Sequence, residues 1–146
     1  MITTPTFAFI HMHKTGGQTL INIIGQNIDD TQMVGYHYPI KMLPADVADL
    51  PVVGMVRNPW DWYISWYAFN TRPNVSNPLF FILSDGFQAN YRQIIKNLIC
   101  LGSDQKSSQN YRRALIDILP ETLEDNNGVG LTKESIRELE GSQDGY

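Results

Sequence analysis

The sequence predicts an α/β domain with a short, mainly parallel sheet flanked by helices, and three observations predict it. Two runs, Phe7–Met12 and Pro51–Val56 (PVVGMV), contain no Asp, Glu, Lys or Arg and have the composition of strands covered on both faces. Each is followed at once by a helix-start pattern. A helical pattern also lies between them, and buried strands separated by helices pair in parallel. With 146 residues, 42% hydrophobic and 18% charged, the chain suits one domain, residues 1–146, around a single core.

Taken in order, the first strand runs into Lys14-Thr15-Gly16-Gly17-Gln18-Thr19, after which Leu20, Ile21, Ile23, Ile24 and Ile28 recur at helical spacing. A polar turn over Asn27–Gln32 leads to a short strand from Met33 ending at His37, and Pro44 opens a helical turn or two within Met42–Leu50. The second strand ends at Arg57-Asn58-Pro59. Asparagine as a cap and proline in the first turn start a helix there, running to about Asn70. Beyond it, Leu79–Leu83, Tyr91–Leu101 and Tyr111–Leu119 are helix-compatible scaffold, and Thr132 caps a last helix through Leu139.

Composition narrows the function. Fifteen acidic against 11 basic residues give a formal charge of −4 with no Lys/Arg run, which disfavours nucleic acid as a partner. The single cysteine, Cys100, excludes an internal disulfide and a cysteine-based zinc cluster; it reads as a small core residue of a protein from a reducing, cytoplasmic compartment. The opening residues lack a basic stretch followed by a long apolar one, so neither a signal peptide nor a membrane anchor is expected. Lys106, Arg112 and Arg113 could line a groove for an acidic acceptor, but a solvated helix face accounts for them better.

Chemistry concentrates at the two strand ends. At the first, adjacent Gly16 and Gly17 permit positive φ and close approach of backbone N–H groups to a ligand, and the following helix presents its N-terminal donors and positive dipole end. Lys14 adds charge, and Thr15 and Thr19 add hydroxyl donors. Phosphate or sulfate fits such a loop; a plain Gly-rich turn with a surface lysine is the alternative. The lysine precedes the glycines, opposite to the nucleoside-triphosphate order G-x-x-x-x-G-K-[ST], and there is no G-x-G-x-x-G, so ATP, GTP and dinucleotides are disfavoured. At the second, Arg57 offers a planar fork for phosphate, and Ser65, seven residues beyond Asn58, returns to the same helix face. A surface arginine beside a helix of packing aromatics (Trp60, Trp62, Tyr63, Trp66) is the alternative there.

Together the two segments resemble a known family. His11-Met12-His13-Lys14-Thr15-Gly16-Gly17-Gln18-Thr19-Leu20 is similar to the H-x-P-K-T-G-G-[TS]-[ST]-L loop of carbohydrate-type sulfotransferases. That loop binds the 5′-phosphosulfate of 3′-phosphoadenosine 5′-phosphosulfate (PAPS). Arg57-Asn58-Pro59, with Ser65 and Tyr67 following, resembles the family's R-[DN]-P-x-x-R-x-x-S-x-Y segment, whose arginine and serine hold the 3′-phosphate. His13 stands where the family has proline, and Trp62 where it has arginine. Asn90–Gln93 and Asn127–Leu131 are faintly reminiscent of weaker family segments, and family members continue past this length.

The resemblance implies a three-layer P-loop-like fold, here in a shortened version, and transfer of a sulfuryl group from PAPS to an acceptor hydroxyl, by family default a carbohydrate. It implies donor binding by Lys14, Thr15, Gly16, Gly17, Gln18 and Thr19, with Arg57 and Ser65 on the 3′-phosphate, and catalytic roles for Lys14 and for His37. A base must take the acceptor proton. His37 lies in Gly35-Tyr36-His37-Tyr38-Pro39, a part that resembles the uronyl 2-O-sulfotransferases, which carry a catalytic histidine in a Gly-His segment at a similar remove; His11 and His13, on one face of the first strand by alternation, are its rivals. Two histidines without a third ligand make a metal site unexpected. A module that binds PAPS or its product PAP without transferring sulfate is the alternative function, and a phosphoryl-transfer enzyme a weaker one.

Overall fold

The computed structural model describes residues 1–126, 128 and 131–141. The chain is α/β and falls into two compact units: Met1–Trp66 with a short return from Leu123, and Tyr67–Thr122 with the last helix.

The first unit carries the sheet. Strands β1 (Ile2–Thr3), β2 (Ala8–His11), β3 (Gln32–Met33) and β4 (Val52–Met55) lie in the order β3-β1-β2-β4. β1 pairs antiparallel with both β2 and β3, and only β2 and β4 run parallel, with His11 opposite Met55. The expectation of a mainly parallel sheet is therefore corrected to a small mixed one. The added pairs come from Met1–Thr4, a stretch whose strand signal is too short to show in the sequence. Antiparallel pairing there needs only the tight return over Thr4–Phe7, in which Thr4 Oγ1 accepts from the Phe7 amide at 3.0 Å.

β2 is the strand that the sequence anticipates, with Ala8 and Phe9 fully buried and His11 8% exposed. Phe9 joins Ile2 and Ile21 in the core, with Phe7, Leu20, Ile24 and Met55 packed against them. Burying one such aromatic stabilises by about 2–3 kcal/mol. Helix α1 (Gly17–Asn27) lays Leu20, Ile21 and Ile24 on this core, while Ile23 faces outward at 49% exposure.

β4 departs from expectation. Val52 and Val53 are exposed, and Val56 is 90% exposed beyond the strand end. Strand β4 is the sheet edge, paired on one side only. An apolar run records compatibility with burial, not the presence of neighbours that would supply it. The strand expected to end at His37 stops at Met33, and residues 34–39 are irregular. Their amides and carbonyls turn instead to Met1: the Val34 amide donates to the Met1 carbonyl at 3.2 Å, and the Met1 ammonium donates to the carbonyls of Gly35 and Tyr36. Two 3-10 turns follow, Ile40–Met42 after Pro39 and Ala45–Val47 after Pro44, the second where the sequence places a helical turn or two opened by proline.

Helix α2 (Pro59–Asn70) starts as predicted, Asn58 Oδ1 accepting from the Trp60 amide at 3.0 Å. Its last residues belong to the second unit, which is helical: α3 (Pro78–Leu83), α4 (Tyr91–Ile99), α5 (Lys106–Ile118) and α6 (Lys133–Gly141). Phe80, Leu83, Ile94, Leu115 and Ile136 fill its core. Asn77, Asn90 and Thr132 cap α3, α4 and α6 through their side-chain oxygens.

Arg112 corrects both readings offered for it. It is 3% exposed, donates from Nη1 to the carbonyls of Leu101 and Ser103, at 2.6 and 2.9 Å, and pairs with Glu140. It holds the turn that follows α4 and is open to neither groove nor solvent. Cys100 is half-buried at the C-terminal cap of α4. Among the described residues no helix is long and apolar enough to cross a membrane.

Candidate functional site

The parallel pairing of β2 with β4 brings both strand ends to one edge of the sheet, so the glycine loop and the Arg57 segment leave it side by side. Across 43 residues of sequence, Arg57 Nη1 donates to the Lys14 carbonyl at 2.9 Å. The glycine loop and the Arg57 segment therefore meet in space, and Arg57 is exposed.

The loop has left-handed backbone at Lys14 (φ 62°) and at Gly16 (φ 85°), and α1 begins at Gly17. Only Gly16 uses the conformational freedom that two glycines suggest. Gly17 is needed for a different reason: a Cβ there would lie 2.1 Å from His11 Cγ, so the helix start sits directly on that ring. The N-terminus of α1 has no side-chain cap hydrogen bond and no acidic residue in its first turn, which leaves that end suited to an external anion. Thr15 is buried and its hydroxyl donates to the Met12 carbonyl at 2.8 Å, closing the turn from within. Thr19 is exposed and its amide donates to the Gly16 carbonyl at 3.1 Å; the Gln18 amide group donates to Asn22 Oδ1 at 3.1 Å. Ser65 is half-buried on α2, about 10 Å along the helix from Asn58 by its rise per residue.

The three histidines meet. His13 and His37 stack with ring centroids 3.7 Å apart, and His11 meets His37 edge-on at 4.5 Å. His37 Nδ1 lies 3.3 Å from the His11 carbonyl; the tautomer that donates there leaves Nε2 with a lone pair. His11 itself stacks on Phe9, as strand alternation predicts, and its Nε2 is buried with no hydrogen-bond partner among the described residues. Burial lowers the pKa of all three imidazoles. His37 falls to about 4, with the charges of His13, His11 and the Met1 ammonium adding to burial and the His11 carbonyl opposing it. The rings face or edge one another. Among the described residues no group of three or more His, Cys, Asp or Glu side chains is arranged to hold a metal ion.

Sequence reasoning misses two supports of this cluster. Trp62 Nε1 donates to the His13 carbonyl at 2.7 Å, so the two departures from the sulfotransferase pattern contact each other. Gly128 presses on the His37 segment, where a Cβ would come within 2.7 Å of the His37 carbonyl carbon. No local signal marks either contact, because each joins residues far apart in the chain. Of the weaker segments, Asn127, Val129 and Gly130 lie outside the described residues.

No family model matches the chain, and no curated protein or solved structure matches it either.

Proposed function

We propose that the chain is a PAPS-dependent sulfotransferase domain of the three-layer P-loop kind. One observation carries the proposal: Arg57, the head of one phosphate motif, is hydrogen-bonded to Lys14, the head of the other. The bound donor would supply an activated sulfuryl group on a phosphate leaving group. Lys14 and the uncapped first turn of α1 would hold the 5′ end through charge and backbone N–H groups, while Gly16 allows the backbone to turn there. Thr15 would contribute through its amide, its hydroxyl being committed to Met12, and Gln18 and Thr19 through the first helical turn. Arg57 would bind the 3′-phosphate with its exposed fork, and Ser65 would add a hydroxyl from α2.

Lys14 would also stabilise the charge that grows on the leaving phosphate, where preorganised positive groups act most strongly. His37 would take the acceptor proton at Nε2. Its lowered pKa keeps that lone pair available throughout the neutral range, and a nearby anionic donor would raise its basicity. The default acceptor remains a carbohydrate hydroxyl. A binding-only module is the second reading, favoured by the low basicity of His37 at about 4.

Sulfate transfer from radiolabelled PAPS to a panel of hydroxyl acceptors separates the two. Transfer is expected, with His37→Ala lowering its rate about 100-fold while PAP binding holds. Full transfer by His37→Ala moves the base to His11 or His13, and PAP binding with no transfer at all leaves the binding-only reading.

A further inference from the structure

The second unit contains a partly open pocket of about 250 Å³ lined by Tyr67, Thr71, Phe80, Ser84, Phe87, Ala89 and Ile94. We propose that it binds a small neutral ligand built on one aromatic ring with a hydroxyl donor. This inference is independent of the sulfuryl-transfer reading.

Size sets the first limit. An apolar cavity of about 150 Å³ holds benzene, so this volume takes a single ring with one or two small substituents. Lining chemistry sets the second. None of the seven residues carries a charge, so a charged ligand would lose hydration without a counter-charge. The Ser84 hydroxyl is used on both sides, donating to the Phe81 carbonyl and accepting from the Phe87 amide. The Thr71 hydroxyl donates to backbone carbonyls one turn earlier and keeps lone pairs to accept from a ligand hydroxyl.

Ring preference comes from the aromatic lining. Phe80 and Phe87 are in ring contact at a centroid distance of 5.9 Å, and Tyr67 meets Phe80 at the same distance, so the aromatic lining residues pack on one another. Phe87 is 58% exposed although it sits in left-handed backbone (φ 69°), which a bulky residue rarely adopts. Asp85 and Gly86 before it are left-handed too. Ser84 holds this turn by accepting at its carbonyl from the amides of Gln88 and Ala89, and Tyr111 donates to the Asp85 carboxylate. The turn thus fixes an exposed phenyl ring in the pocket lining, where a ligand ring can stack on it or meet it edge-on.

The test is titration of the whole chain with benzyl alcohol, followed by ¹H–¹⁵N correlation spectra, with cyclohexylmethanol as the saturated control. Saturable shifts confined to the amides of residues 84–89 and their neighbours are expected, with Kd of order 1 mM. Cyclohexylmethanol should bind about fivefold more weakly. Ala89→Leu, which fills the pocket from its wall, should abolish the shifts. Phe87→Ala, at a 58% exposed position, should weaken binding about fivefold while the spectrum outside residues 80–89 stays that of the folded wild type. No saturable shift, equal binding of the saturated control, or wild-type titration by Phe87→Ala each overturns the proposal.

Discussion

His37 is the residue whose physics is most exposed to test. Burial and neighbouring positive charge lower the pKa of His11, His13 and His37 below the ordinary 6.5, so the unfolded chain binds protons first as pH falls. The stability these groups contribute is complete above about pH 6.5 and is lost as pH falls toward about 4, where His37 itself protonates. The Met1 ammonium, also lowered by burial, acts in the same direction nearer pH 8. The Lys14 charge further lowers the His13 pKa. Thermal melts should therefore fall between pH 6.5 and 4, and His37→Gln should flatten that fall. Identical pH profiles for both proteins would remove His37 from the explanation. The glycines separate at the same scale. Gly16→Ala should cost about 1 kcal/mol through its positive φ. Gly17→Ala should cost about 1–3 kcal/mol by forcing α1 off the His11 ring, both read by denaturant unfolding.

At the scale of elements, the sequence is informative where one segment settles its own conformation. The start of α2 follows from Asn58 and Pro59 alone, and the last helix from Thr132, because a cap needs only its own first turn. Strand β2 was legible from its uncharged run. What could not be read is what each element lies against. β4 has the composition of a buried strand yet forms an edge, and residues 34–37 give up a strand to the Met1 contacts. Trp62 shows the same limit. It reads as one of several packing aromatics, but it braces the loop through the His13 carbonyl. Trp62→Phe keeps most of the packing and removes that donor. It should cost about 1 kcal/mol in denaturant unfolding and weaken PAP binding more than a distant aromatic substitution such as Phe81→Leu.

At the scale of the whole molecule, two compact units divide the chain, and the candidate cluster on Lys14, His37 and Arg57 lies entirely within the first. Lys14 and Arg57 were legible as the heads of two separate motifs. Their meeting was not, because it depends on β2 and β4 being parallel neighbours in a sheet that is otherwise antiparallel. The histidine stack was half legible: alternation put His11 and His13 on one face, but nothing in the sequence brings His37 to them. The sulfotransferase proposal stands on that meeting of motifs, and nucleotide selectivity tests it without assuming any acceptor. In calorimetric titrations, PAP should bind at least about tenfold more tightly than adenosine 5′-phosphate, with Mg-ATP no better than the monophosphate. Arg57→Ala should erase the difference between PAP and the monophosphate. Equal affinity of the wild-type protein for those two nucleotides would contradict the assignment of Arg57 and Ser65 to a 3′-phosphate, and with it the PAPS site.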